Sequence, residues 1–160
     1  MAEIFKSENF GVFAAEEPHL DRKDGGHIII FPHRKVRDRQ ELTPKKAIEL
    51  MRLTIVAGQA MKKVMNSHGV DVERINYQDN GNWSVFKPQG PYLHIHLYGR
   101  AKSAKTQRYG QALSFPHKDE NPEYYADFLA LTEEDVRALK DEIASILQEE
   151  KFSDKNWGLA

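Results

Sequence analysis

The chain has 160 residues, a formal net charge of −1 and no cysteine. That balance offers no broad basic surface, so neither a nucleic-acid polymer nor an acidic membrane is expected as a partner. Without cysteine there is no disulfide framework, no thiolate metal site and no cysteine nucleophile, which fits a cytoplasmic setting.

The first twenty residues lack a basic stretch followed by a long apolar core, so no signal peptide is expected. The apolar runs elsewhere are too short to span a bilayer. Residues 10–14, "FGVFA", predict a short strand, and 18–26, "PHLDRKDGG", a turn-rich connection ending in two glycines. "HIIIFP" (27–32) has the composition of a buried strand stopped by proline. The basic stretch 33–42 loops outward.

Residues 43–69 predict a long helix. Thr43 suits the N-cap, Pro44 the first helical position, and His68–Gly69 the end. Its apolar positions (Ile48, Met51, Ile55, Met61, Val64, Met65, joined by Leu50, Leu53, Val56 and Ala57) cover more than one stripe, as in a helix that meets more than one neighbour. "VERINYQD" (72–79) alternates as a strand, and 80–91, "NGNWSVFKPQGP", is a turn or functional loop. "YLHIHLYGR" (92–100) alternates strictly and predicts another strand. Residues 101–128 are polar and poorly patterned, an extended loop with at most one short helix. Residues 131–151 predict a second helix, capped by Thr132, with Val136, Leu139, Ile143, Ile146 and Leu147 on one face. The order of elements is that of an α+β fold, and residues 1–160 are expected to form one domain with its core at about 10–100.

On a strand, alternate residues share a face. His94, His96 and Tyr98 therefore form one row, and Leu93, Ile95 and Leu97 the other. The apolar row is core. Three readings are open for the polar row: a half-exposed strand that carries histidines, a metal site needing at least one more ligand, or a catalytic site. Neutral imidazole is a good metal ligand and, with a reference pKa of about 6.5, a good nucleophile toward phosphorus near pH 7.

These residues, with their surroundings, resemble the histidine triad family, whose signature alternates three histidines with apolar residues. "GGHIIIFPHRKVRDRQELTPKKAIELM" is similar to the family's Gly-His, apolar strand, proline, basic turn and helix. "INYQDNG" is similar to the strand and turn before the triad loop. The likeness runs from about Phe10 to Arg100. It implies an antiparallel sheet of about five strands with one long central helix and a C-terminal helix, assembled as a homodimer. It also implies a purine nucleotide site and hydrolysis or transfer at the α-phosphate of a nucleotide conjugate or dinucleoside polyphosphate, with no cofactor required. Carried over by position, His96 is the nucleophile that forms a nucleotidyl-histidine. His94 matches the first triad histidine, which orients the site, and Tyr98 stands where the third contacts phosphate.

The loop before the triad suits phosphate binding. Lys87 brings charge and Gln89 and Gly90 hydrogen bonds, although a solvated lysine and a plain turn glycine explain the same residues. Gln78 and Asn80 can contact sugar or phosphate, or serve turn chemistry alone. Four positions depart from the family pattern. Tyr98 is a poor proton shuttle at a pKa of about 10, so amine leaving groups should suffer more than phosphates. Lys35 replaces a histidine, Ala14 falls where a ribose-binding Asp or Asn is expected, and Gln89–Gly90–Pro91 departs from Gly-Gln-Ser/Thr. An alternative reading is thus a nucleotide-binding module with weak or no catalysis. His27 is expected to be structural, His33 a surface residue with reach into the site as the alternative, and His19, His68 and His117 surface or capping residues.

Overall fold

The computed structural model of the chain describes residues 1–79 and 82–160. Five strands form one antiparallel sheet: β1 (Ala2–Lys6), β2 (Phe10–Ala14), β3 (His27–Pro32), β4 (Val72–Asp79) and β5 (Ile95–Ala101), in the order β1-β2-β3-β5-β4. Helices α1 (Pro44–Ser67) and α2 (Glu133–Leu147) pack together, α1 against β4 and β5 and α2 against β1. A short α3 (Asp154–Trp157) follows. This is the α+β architecture that the pattern predicts.

The helix ends follow their capping chemistry. Thr43 accepts from the Lys46 backbone N–H, Pro44 occupies the first turn, and α1 ends at His68 with Gly69 at φ +82°. Thr132 and Asp135 form a reciprocal capping box at α2, which is shorter than the predicted 131–151. Strand β1 is not evident in the sequence. "AEIFK" offers only Ile4 as a fully buried side chain, and pairing with β2 rather than a hydrophobic pattern holds it. The strand expected at 92–100 begins at Ile95. Pro91 has no N–H to give, and Leu93 instead donates to the Val36 carbonyl at 2.7 Å.

Strand register separates two faces. Ile28, Ile30, Ile95 and Leu97 face the helices in one core with Val56, Ala57, Ala60 and Met61. The opposite face pairs His27 with Tyr98 and Ile29 with His96 on β3 and β5, and Gln78 with His96 on β4 and β5.

The excursion 101–128, read from sequence as a loop, is tied down by buried polar groups and covers that second face. Asp24 accepts from the backbone N–H groups of Lys105 (2.9 Å), Thr106 (2.7 Å) and Gln107 (3.3 Å). Arg100 donates to the carbonyls of Arg108 and Gln111 at 2.8 and 2.9 Å. The Gln107 amide clamps both backbone groups of Ser114. The same cover depends on glycine. Gly25, at φ +138°, lies so close to Gly99 that a Cβ on it would stand 2.1 Å from the Gly99 carbonyl oxygen. Only two bare backbones can pass at that distance, and this crossing carries residues 19–26 over β5.

A buried carboxylate joins the connection to the helices. Asp135 accepts two hydrogen bonds from Arg22, one from His68 and one from the Thr132 N–H. Burial alone would raise its pKa, but these partners hold it well below the usual carboxylate range. Among the described residues no helix is long and apolar enough to cross a membrane.

Candidate active site

A cleft of about 540 Å³ opens on the polar face, lined by His94, His96, Tyr98, Gln78, Lys87 and Gln89, together with His19, Phe31, Tyr92, Trp83 and Phe115 among others. Six of the eight residues singled out in the sequence thus meet in one place. Gly90 is not in the lining; it takes φ +63° and donates to the Lys87 carbonyl, a turn role. Asn80 lies outside the described residues. Lys87 sits 3.7 Å from Asp119 of the excursion, and Lys35 donates to the Gln89 carbonyl, so both lysines brace the loop 82–91. His33 bonds the Ser7 carbonyl and does not line the cleft.

Of the three readings open for the polar row, the half-exposed strand does not describe β5. Every residue of β5 is buried, and His96 keeps 5% of its surface exposed. His94, just before the strand, is half-buried. Its ring lies 4.6 Å from that of His96 and 5.8 Å from Phe31.

The hydrogen bonds fix how the imidazole protons are distributed. The backbone N–H of His19 donates to Nδ1 of His27 at 3.1 Å, so that nitrogen carries a lone pair. Neutral His27 therefore bears its proton on Nε2, which lies 2.8 Å from Nδ1 of His96 and donates to it. His96 in turn holds its proton on Nε2 and offers the site a donor. His94 is the reverse. Its Nδ1 lies 2.8 Å from the Tyr92 carbonyl, which can only accept, so the proton sits on Nδ1 and Nε2 carries the lone pair.

Burial keeps His27, His96 and His19 neutral. His27 falls well below its ordinary pKa by desolvation first and by the neighbouring His96 second. His96 is lowered to about 3 by desolvation, then by His94 and His19. His19 is lowered to about 4 by desolvation, then by Lys118 and His94. Desolvation pushes the Tyr98 hydroxyl far above its ordinary value, so it remains a phenol.

His19, expected at the surface or at a cap, belongs to the site. Its Nδ1 lies 3.0 Å from the Tyr98 hydroxyl, and its ring is 5.0 Å from His27 and 5.3 Å from His96. Trp83 and Phe115 flank it at 5.2 and 5.7 Å. His117 also meets Trp83, at 4.9 Å. Trp83 and Phe115 carry no pattern in sequence. For His19 the one usable signal was the pair of glycines that turns its connection back over β5. His27, expected to be structural, is buried and orders His96.

His19, His27 and His96 bring ring nitrogens within 4.8 Å of one another, a spacing a metal ion could use. The donor set does not fit one as it stands. His27 Nδ1 accepts a backbone N–H, so its Nε2 must give up a proton to become a ligand, whereas ligating histidines ordinarily donate through their second nitrogen.

No family model matches the chain. A curated relative, the AP-4-A phosphorylase of Mycobacterium tuberculosis, is 31% identical over 75 residues, which is 47% of this chain and 36% of that protein. The matched stretch thus spans about a third of that relative's length. A histidine triad nucleotide-binding protein of Sulfolobus tokodaii superposes with a TM-score of 0.59 at 14% identity, over 92% of this chain and 87% of that one. A zinc-bound histidine triad family protein of Mycobacterium smegmatis gives 0.57 at 19%, over 90% and 84%. A Hit-like protein of Bartonella henselae gives 0.55 at 12%, over 88% and 85%.

Proposed function

Since the chain has the histidine triad fold, we propose that it is a nucleotide hydrolase or nucleotidyltransferase acting at the α-phosphate of a nucleotide conjugate through a nucleotidyl-histidine. The observation that carries this reading is His94, with Nδ1 committed to the Tyr92 carbonyl and Nε2 left for substrate, next to His96, with Nδ1 committed to His27, in a cleft large enough for a nucleotide.

The resemblance implies His96 as the attacking group. The proton arrangement favours His94 instead, because His96 holds its proton on the nitrogen that would have to attack. In the proposed sequence Nε2 of His94 attacks the α-phosphorus. A P–N bond forms while the P–O bond to the leaving group breaks, and its electron pair departs on oxygen. The imidazole becomes cationic, and the Tyr92 carbonyl accepts from its Nδ1–H and stabilises that charge. His96 donates from Nε2 to a phosphate oxygen. Water, or another acceptor hydroxyl, then attacks phosphorus, loses its proton to solvent and releases His94. Gln78, whose Oε1 is buried without a partner among the described residues, has an acceptor to offer a sugar hydroxyl.

His19, His27 and His96 are held neutral by burial and have no imidazolium proton to give an amine at neutral pH. The site therefore suits leaving groups that depart as anions, which favours a dinucleoside polyphosphate over a phosphoramidate. The name of the Mycobacterium tuberculosis relative points the same way. We place this activity in a homodimer, on the strength of Ile48 and Met51 exposed on α1 and Phe86 exposed almost completely. Light scattering that returns a monomer at micromolar concentration would count against it.

Rapid-quench mass spectrometry on wild type, His94→Ala and His96→Ala decides the chemistry. Wild type and His96→Ala should form a nucleotidyl adduct, the latter slowly. His94→Ala should form none and lose at least about 10³-fold in turnover, as expected when a nucleophile is removed. An adduct surviving in His94→Ala but absent in His96→Ala would return the role to His96. Nucleotide affinity with neither adduct nor turnover would leave a binding module, the reading that Tyr98, Lys35 and Ala14 motivate.

A further inference from the structure

Tyr98 and His19 form a pair that the reaction as written does not use. Tyr98 is 1% exposed, and its hydroxyl finds one hydrogen-bond partner among the described residues, Nδ1 of His19 at 3.0 Å. Two arrangements are open to the pair. If His19 donated, the phenolic proton would be buried with no acceptor, which is unfavourable. If Tyr98 donates, the phenolic proton is placed, an oxygen lone pair is left over and the Nε2–H of His19 faces the cleft. Tyr98 therefore donates, Nδ1 of His19 accepts, and neutral His19 carries its proton on Nε2.

The cleft then holds three imidazoles in two roles. His94 presents a lone pair, while His96 and His19 each present an N–H. His96 neighbours both, at 4.6 Å from His94 and 5.3 Å from His19. His19 thus presents its N–H to the same cleft as the attacking ring, as a second donor beside that of His96. It reaches this place from the connection between β2 and β3, not from the histidine strand. The Gly25–Gly99 crossing and the anchoring of Asp24 to residues 105–107 hold that connection over β5. Trp83 and Phe115 flank its ring and limit water around it.

We propose that His19 is a catalytic residue, a neutral N–H donor to the oxygen on which the leaving group departs, and that Tyr98 positions it by fixing its proton on Nε2. Tyr98 then does not touch the phosphate. Its hydroxyl is committed to a histidine contributed by another part of the chain, and that histidine makes the contact. The inference rests on the reading of the site as a nucleotidyl-transfer centre. Its substrate class is nucleotide conjugates joined to the α-phosphorus through oxygen, where a hydrogen bond strengthens as negative charge grows on that atom. No proton changes hands. The P–O electron pair stays on the departing oxygen, and His19 stabilises the charge there.

The test is the single-turnover release of phenol from two esters of adenosine 5′-monophosphate, the phenyl and the 4-nitrophenyl ester. Wild type, His19→Ala, Tyr98→Phe and the double variant are compared, with thermal melting to confirm that each is folded. Charge stays on oxygen in phenolate and is drawn into the ring in 4-nitrophenolate. His19→Ala should slow release from the phenyl ester by about 10- to 100-fold, somewhat below the loss typical of one oxyanion donor. It should slow the 4-nitrophenyl ester by less than about 3-fold. Tyr98→Phe should shift the same ratio in the same direction by a smaller factor, and should add nothing in the His19→Ala background. Equal slowing of both esters, or none, overturns the role of His19. An undiminished Tyr98→Phe effect in the double variant overturns the link between the two. If wild type releases neither phenol, the nucleotidyl-transfer reading fails and takes this inference with it; if wild type is active and His19→Ala matches it, the inference fails alone.

Discussion

The two faces of β5 are buried to nearly the same degree by different means. Toward the helices, Leu97 and Ile95 are 0% and 4% exposed, enclosed by apolar side chains of α1. Toward the cleft, Tyr98 and His96 are 1% and 5% exposed, enclosed by His27, His19 and the excursion 101–128. The first face gains free energy from area removed from water, and any apolar side chain of the right size serves it. The second removes polar rings from water and is tolerable because His27 is hydrogen-bonded through both nitrogens, His96 through Nδ1 and Tyr98 through its hydroxyl, and because burial keeps His27 and His96 uncharged. Burial by packing leaves the chemistry of a side chain idle. Burial by hydrogen bonding decides which nitrogen attacks and which donates.

Substitutions on each side should break this symmetry in different ways. The largest stability loss is expected on the apolar face. Leu97→Ala should cost about 2–5 kcal/mol in denaturant unfolding, through lost transfer free energy and the cavity left behind, with kcat of the folded fraction little changed. An unchanged unfolding midpoint would contradict the core assignment. His27→Leu on the polar face should cost less, about 1–3 kcal/mol, because it leaves Nδ1 of His96 without its donor. Turnover should fall further than stability does, since the proton of His96 is then free to move to Nδ1. Activity equal to wild type would dismiss the hydrogen-bonded chain as the source of that tautomer.

The pH dependence of stability also separates the faces. Rings lowered to about 4 (His19) and about 3 (His96) bind no proton in the folded state while the unfolded chain takes them up below about 6.5. Stability should thus be flat from pH 9 to 7 and fall as pH drops from about 6.5 to 4. Asp135 has the opposite sign of charge and a depressed pKa, so its contribution is complete above its ordinary value of 3.8 and is lost only below it. Urea melts at intervals of half a pH unit should show two separate declines. His19→Ala should make the upper one shallower and leave the lower; a slope untouched by His19→Ala would mean that folding does not lower the pKa of His19.

Much of this was readable along the chain. Strands at 10–14, 27–32 and 72–79 match to the residue because their apolar patterns are local, and Thr43, Pro44 and Gly69 mark α1 by capping chemistry that spans one turn. His94, His96 and Tyr98 reach one cleft because alternation on an extended segment needs only backbone geometry. Strand β1 could not be read in this way, since a single buried isoleucine makes no period and only pairing with β2 defines it. The excursion 101–128 likewise showed no pattern, because its order comes from Asp24, Arg100 and Gln107 binding backbone groups rather than from apolar residues.

By itself, the sequence determined which residue types stand in the row at 94–98 and which face of the sheet they share, since both follow from a two-residue period. Only the tertiary structure decided what each of them does. A tautomer is set by the partner of the other ring nitrogen, and those partners come from elsewhere: a backbone N–H at residue 19, a ring at residue 27 and a carbonyl at residue 92. Hydrogen bonds between segments set that distribution of protons, and no periodicity in a single chain records it.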